Sequence, residues 1–216
     1  MSPNAHQDTY HTNSQAEVPL RLLGVSGSLH DHSRSLVALQ MVLGAAAERG
    51  AQTRLLDLRE IDLPVFRPDR EGHSRYEERI SMDMDWADAI VLSSPDYHGS
   101  MSGALKNFLD YVWEECAGKV FGYLCASHEK GLTVMDQMRT AVRQCYGWSL
   151  PYGVSIDGRA DFDANNRLTN QRVERRLIMM ARDMVSYGAI IRRQFVADLA
   201  GSDPNTFAAN YRKKNV

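Results

Sequence analysis

The chain has 216 residues, 44% of them hydrophobic, and its 25 basic and 27 acidic side chains leave a formal net charge of -2. That suits one domain with extensions. It provides no general positive field for nucleic acid or an anionic lipid surface, so an anionic ligand must be held by local geometry.

In chain order, residues 1–18 are polar and lack the apolar core of a signal peptide. They read as a disordered arm. Residues 20–25 are a short apolar run that stops at Ser26-Gly27-Ser28, a first buried strand. Over residues 35–49, Leu36, Leu39, Leu43 and Ala46 recur at helical spacing, and Gly50 closes that helix as its C′ glycine. Residues 53–58 give a second strand. Residues 61–74, with Pro64, Pro68 and Gly72, read as a loop, and a helix follows over 74–87. Ala89-Ile90-Val91-Leu92 is a third strand, stopping at Ser93-Ser94-Pro95.

After Ser100 a helix over 102–115 carries the stripe Leu105, Phe108, Leu109 and Val112. Residues 120–125 make a fourth strand. A helix over 131–146 turns Leu132, Met135, Met138 and Val142 inward, and Val154-Ser155-Ile156 is the core of a fifth strand. A last helix over 169–187 faces Val173, Leu177, Met180 and Met184 inward, and residues 197–216 read as an exposed tail. No apolar run approaches the roughly 20 residues of a membrane span.

Strand alternating with helix specifies an α/β fold with a parallel sheet. Five strands with crossover helices suit a flavodoxin-like three-layer sandwich, sheet order 2-1-3-4-5, helices on both faces. The pattern alone does not fix that order. Residues 19–196 form the one domain. Cys116, Cys125 and Cys145 make no CxxC pair and no metal-type spacing. A set this sparse argues against a disulfide scaffold and fits a reducing cytoplasm.

Ligands of such sheets bind beyond the carboxyl ends of the strands, at the switch point between strands one and three. The unusual loops fall there. The first, residues 26–35, leaves a strand and enters a helix. Gly27 lets the backbone turn tightly, and Ser28, Ser33 and Ser35 offer hydroxyls. The helix start adds free N–H groups and a positive dipole end, and His30, His32 and Arg34 add charge. Together they describe an anion site rich in hydroxyls rather than glycines, which fits a terminal phosphate better than a bridging pyrophosphate. The second loop, residues 93–100, holds Pro95, Asp96, Tyr97, His98 and Gly99. Tyr97 offers an aromatic face or edge to a flat ligand, and His98 reaches its polar edge. The third loop, residues 126–131 with Ser127, closes the far side.

Other chemistries fit less well. GxGxxG, GxxxxGK[ST] and GxSxG are all missing. Asp31, His32 and Ser33 are adjacent in sequence, which does not create a triad geometry. His6, His11, His73 and Glu77 are too scattered for a metal site.

With both main loops in view, the chain resembles the NAD(P)H-dependent FMN reductase family over residues 20–187. Residues 27–35 are similar to that family's GSLRxxSxN pattern, and residues 95–110 to its PEYNxSxPGxLKNxxD pattern. The chain has His30 for the family's arginine, Ser35 and His98 for its asparagines, Asp96 for its glutamate and Ser102 for its proline. The third loop lacks the family's usual glycines. The resemblance implies a flavoprotein that takes hydride from NADPH or NADH and reduces a flavin, quinone, azo compound or similar small acceptor. FMN performs the chemistry, so no side chain need be a nucleophile or general base. The implied cofactor-binding residues are Ser28, His30, Ser33, Arg34, Ser35, Pro95, Asp96, Tyr97, His98, Gly99 and Ser127. The resemblance also implies a homodimer or homotetramer, with the 102–115 helix, Tyr111 and Trp113 as the contact surface. The same fold leaves open a flavodoxin-type electron carrier or an FMN-less sensor or partner-binding protein.

Overall fold

Successive residues of a strand point to opposite faces of its sheet, and the central strands of this chain are apolar on both. Leu23 and Val25 pack to one side and Leu22 to the other; Ile90 and Leu92 likewise oppose Val91. Continuous apolar runs of this kind belong to a parallel sheet covered on both faces. The computed structural model describes residues 18–61, 63–69 and 75–214. All but the last residue of the expected N-terminal arm, and part of the 61–74 loop with His73, lie outside the described residues.

The elements are β1 (Arg21–Ser26), α1 (Arg34–Ala47), β2 (Gln52–Asp57), α2 (Arg75–Trp86), β3 (Ala89–Pro95), α3 (Gly103–Asp110), β4 (Val120–Ala126), α4 (Leu132–Gln144), β5 (Trp148–Ser149), β6 (Val154–Ile156), α5 (Gln171–Ala200) and α6 (Phe207–Lys214). The sheet order is β2-β1-β3-β4-β5, every pair is parallel, and β6 also pairs with β4. This is the expected 2-1-3-4-5 order, with the fifth position split between two short strands. Helices α2, α3 and α4 share one core with the sheet; α1 and α5 share the other.

The end of α1 follows the sequence reading. Gly50 lies at φ +85°, its N–H donates to the Ala47 carbonyl and the Ala51 N–H to that of Ala46. These two bonds form a Schellman pattern with Gly50 as C′.

Five expectations are corrected. β3 continues through Ser93, Ser94 and Pro95, paired with Leu124, Cys125 and Ala126. Its serines satisfy themselves there: Ser93 Oγ donates to the Ser35 carbonyl, and Ser94 Oγ donates to the Pro95 carbonyl while accepting the Ser102 N–H. α3 ends at Asp110, not 115. Tyr111 turns its hydroxyl to the Pro64 carbonyl at 3.0 Å, and Trp113 leaves helical dihedrals at φ −143°, ψ −93°. Leu132 is 63% exposed rather than inward, and Val134 takes its place in the core. α5 runs past Tyr187 to Ala200. Gly188 does not end it; a Cβ there would stand 3.1 Å from that of Ala89, so the glycine lets the helix lie close on the sheet. Finally, the stretch read as an exposed tail contains α6, whose Phe207 and Ala208 pack with Phe195 of α5.

Candidate functional site

The carboxyl ends of β1, β3, β4 and β6 open into one cavity of about 750 Å³. Its walls include every residue expected from the sequence: Ser28, His30, Ser33, Arg34 and Ser35 from the first loop, Pro95, Asp96, Tyr97, His98 and Gly99 from the second, and Ser127 from the third. They divide into residues that present free donors and residues that shape the walls.

The first loop is held by close packing. Gly27 has an ordinary negative φ, so a tight turn is not its reason. A Cβ on it would meet Leu105 Cβ at 2.6 Å and Ser102 Oγ at 2.9 Å. Instead its N–H donates to the Ser93 carbonyl at 2.8 Å, and its carbonyl accepts the Ser102 hydroxyl at 2.6 Å. The loop end of β1 is thereby clamped to β3 and to the start of α3.

Ser33 is the N-cap of α1: its Oγ accepts the Leu36 N–H at 3.1 Å. The N–H groups of Arg34 and Ser35 meet no backbone carbonyl among the described residues, as expected of a first helical turn. Ser33 and Ser35 share one hydrogen bond of 2.9 Å between their hydroxyls, so whichever donates, one hydroxyl proton of the pair is left over. Ser28 Oγ accepts the His30 N–H at 3.3 Å and keeps its proton to give. His30 Nδ1 accepts the His32 N–H at 3.0 Å, which leaves Nε2 as the ring nitrogen that can donate. Arg34 Nε is buried with no hydrogen-bond partner among the described residues, and its guanidinium lies 6.0 Å from the Phe162 ring centre. Serine hydroxyls, helix-start N–H groups, an imidazole N–H and a guanidinium converge here, and all of them donate. This donor set fits the phosphate of FMN.

The second and third loops are walls. Tyr97 and Ser100 exchange backbone hydrogen bonds of 3.0 and 3.1 Å across His98 and Gly99, whose φ values are +59° and +75°. Two consecutive positive φ values make a type I′ turn. Asparagine and histidine are among the few non-glycine residues enriched in that region, so His98 can stand where the family has asparagine. Tyr97 is 53% exposed at the cavity mouth. Asp96 has no oxygen without a donor: Oδ1 accepts the Gly99 N–H at 2.8 Å and Oδ2 the Ser127 hydroxyl at 2.6 Å. Ser127 Oγ in turn accepts the Glu129 N–H at 3.0 Å. Asp96 and Ser127 therefore hold two loops to each other.

His128 and Glu129 of the third loop also line the cavity, as do Leu132, Thr133, Gly158 and Arg159, to which the sequence did not point. The last two follow β6. Asp157 accepts the N–H groups of Arg159 and Ala160 and faces His128 at 3.2 Å, and the Arg159 N–H above all holds its carboxyl below the usual carboxylate range. Gly158 makes room for Arg34, whose Cδ would be 3.2 Å from a Cβ at that position. The one available signal was position, since the loop after the last strand faces the same end of the sheet as the others.

The family model described as NADPH-dependent FMN reductase matches residues 20–161. An NADPH azoreductase from Bacillus sp. (strain OY1-2) is 25% identical over 143 residues, 64% of this chain and 78% of the relative. An FMN reductase (NADPH) from Pseudomonas aeruginosa is 27% identical over 168 residues, 76% of this chain and 89% of the relative. Among solved structures, FerB, an NAD(P)H:(acceptor) oxidoreductase from Paracoccus denitrificans, superposes with a TM-score of 0.65 at 18% identity. That match covers 78% of this chain and 97% of FerB, and shows a common fold.

Proposed function

The chain belongs to the NADPH-dependent FMN reductase family, and from that premise we propose that its cavity seats FMN with the phosphate in the first loop and serves reduction of a small acceptor by NAD(P)H. The acceptor class is a flavin, a quinone or an azo compound. One observation carries the placement: Ser28, His30, Arg34 and the Ser33–Ser35 hydroxyl pair bring their donors to one wall of the cavity at the start of α1, with no carboxylate among them.

When bound, FMN supplies the redox chemistry, accepting hydride from the nicotinamide and passing electrons on. The protein binds and shapes. Ser28, the Ser33–Ser35 hydroxyl pair and the α1 N–H groups would hold the phosphate, and Arg34 would balance its charge. The His98–Gly99 turn and Tyr97 set one wall for the ring, and Ser127 to Thr133 set another. The cavity is open, which leaves room for a nicotinamide and an acceptor to use one ring in turn. A flavodoxin-type carrier or an FMN-less sensor is not favoured, because the family is one of reductases.

We also place the protein in the cytoplasm, on its cysteine usage. Among the described residues no helix is long and apolar enough to cross a membrane. Trp113, 64% exposed just beyond α3, supports a homodimer or homotetramer contact there. Trp113→Glu is expected to shift the sedimentation coefficient toward that of a monomer.

The deciding experiment is steady-state oxidation of NADPH and NADH by the purified, FMN-loaded protein with a panel of flavins, quinones and azo dyes. Turnover with at least one acceptor is expected. A protein that neither retains nor takes up FMN would overturn the site assignment; an FMN-loaded protein with no turnover would overturn the enzymatic reading alone.

A further inference from the structure

The His98–Gly99 turn is held on one side by Asp96, whose Oδ1 accepts the Gly99 N–H at 2.8 Å. It is also held from behind. Gln137, in α4, lines a second cleft of about 670 Å³ between α3 and α4, and Thr133 is common to that cleft and the cavity. The Gln137 carboxamide reaches three consecutive residues at the exit of the turn. Its Oε1 accepts the Ser100 hydroxyl at 2.8 Å and the Met101 N–H at 3.3 Å, and its Nε2 donates to the Gly99 carbonyl at 3.3 Å.

These partners fix which way the amide faces. Turned over, it would set its NH2 group against the Met101 N–H and its oxygen against the Gly99 carbonyl, two contacts of like with like. The site therefore asks for a side chain that accepts on one side and donates on the other. Gly99 is gripped at both of its peptide groups, the N–H by Asp96 and the carbonyl by Gln137.

We propose, on the reading that FMN occupies the cavity, that Gln137 is a positioning residue for the flavin ring: it fixes the His98–Gly99 turn, and with it Tyr97, at the height the bound ring requires. Two features give it this work. His98 holds a positive φ of +59°, a conformation that costs a residue with a Cβ and persists where surrounding contacts over-determine it. The Tyr97–Ser100 hydrogen bonds close the turn on itself but do not set its place relative to the far wall. Gln137 does, because α4 also carries Thr133 of that wall. One amide thus sets the separation of the two walls between which the ring would lie.

The test is a fluorescence titration of the flavin-stripped full chain with FMN and with riboflavin, together with the visible circular dichroism of the bound flavin. Gln137→Met keeps the length of the side chain and suits a helix, with none of the three bonds. It is expected to weaken FMN and riboflavin by the same factor, since the ring is common to both. Gln137 is exposed, so water replaces part of each neutral bond, and the factor is roughly three- to tenfold. The dichroism of the ring should change while the urea midpoint stays close to that of the unaltered protein. Ser100→Ala removes one of the three bonds and should show a smaller effect of the same kind, and the double variant should add little to Gln137→Met. Gln137→Asn, one methylene too short, should match Gln137→Met and replaces it if the methionine variant folds poorly. Unchanged flavin affinity and dichroism, whatever happens to stability, would overturn the proposal. So would a loss confined to FMN, which would move the effect to the phosphate. An unaltered protein that takes up neither flavin would overturn the FMN assignment and the role of Gln137 together.

Discussion

Asp96 Oδ2 accepts the Ser127 hydroxyl at 2.6 Å, which ties the loop after β3 to the loop after β4. The same carboxylate holds the Gly99 N–H through Oδ1, so one side chain sets the His98–Gly99 turn and the opposite wall together. Asp96→Ala removes both bonds. Hydrogen bonds to a charged group are worth roughly 1.5–3 kcal/mol each. The variant is expected to bind FMN at least tenfold more weakly in a fluorescence titration. Ser127→Ala should weaken binding less, and the double variant should show little beyond Asp96→Ala. Full additivity would mean the two residues act separately.

Ser28 tests the phosphate end. Its hydroxyl keeps a proton to donate, and its Oγ accepts only the weak 3.3 Å contact from His30. Ser28→Ala is expected to weaken FMN by roughly tenfold to a hundredfold, from one lost charge-assisted hydrogen bond. Riboflavin, which lacks the phosphate, should bind unchanged. Ser33 is a poorer probe because it also caps α1, and Ser33→Ala should in addition cost about 1 kcal/mol of stability. Equal losses for FMN and riboflavin in Ser28→Ala would place the phosphate elsewhere.

Gly27 makes a separate prediction about packing. An added methyl would stand 2.6 Å from Leu105 Cβ, so β1 and α3 must separate to admit it. Gly27→Ala is expected to destabilise the fold by about 1–3 kcal/mol, the usual cost of overpacking, read as a lower urea midpoint. Gly44, which has open space around it, is the control: Gly44→Ala should stabilise α1 slightly.

Lys119 sets a pH dependence. It is buried, and its ammonium donates to the Met84 carbonyl. Burial first, then the charge of Arg192, lowers its pKa from 10.5 to about 8, against the opposing pull of Cys116, Asp85 and Asp88. Between those values the unfolded chain still holds a proton that the folded chain has released. Stability therefore rises with pH across that window, and below it the full penalty of the buried charge is present. The rise is at most about 3 kcal/mol. Lys119→Met should lose it. Urea unfolding of both proteins at about pH 7 and about pH 10 measures the difference, and parallel pH profiles would assign the effect to another group.

Much of the site was legible because its signals are local. A serine-rich turn between an apolar run and an amphipathic helix states its chemistry within ten residues of chain, and strand-helix alternation then tells which end of the sheet it occupies. Residues 158 and 159 carried no such signal, since Gly158 matters only because Arg34 passes beside it. Leu132 matched a helical stripe and still faces the cavity, because α4 begins one residue after a left-handed Gly131 and its first turn overhangs the core. α3 stops at Asp110 without glycine or proline, where Tyr111 finds the Pro64 carbonyl and Phe66.

The amino-acid order alone determined the alternation of strand and helix, the identity of the donor loop and the glycine that ends α1. These depend on periodicity and on neighbours within a turn or two. Only the tertiary structure decided which donors are free. Ser28 and Ser33 are the same residue in the same loop, but the Ser28 oxygen accepts only a long contact from His30, while the Ser33 oxygen caps α1 and its hydroxyl shares a hydrogen bond with that of Ser35. Asp96 reads as a ligand in sequence and is a tie in space. A hydrogen bond depends on separations of a few ångströms between distant segments, and those are set when the two cores close on the sheet.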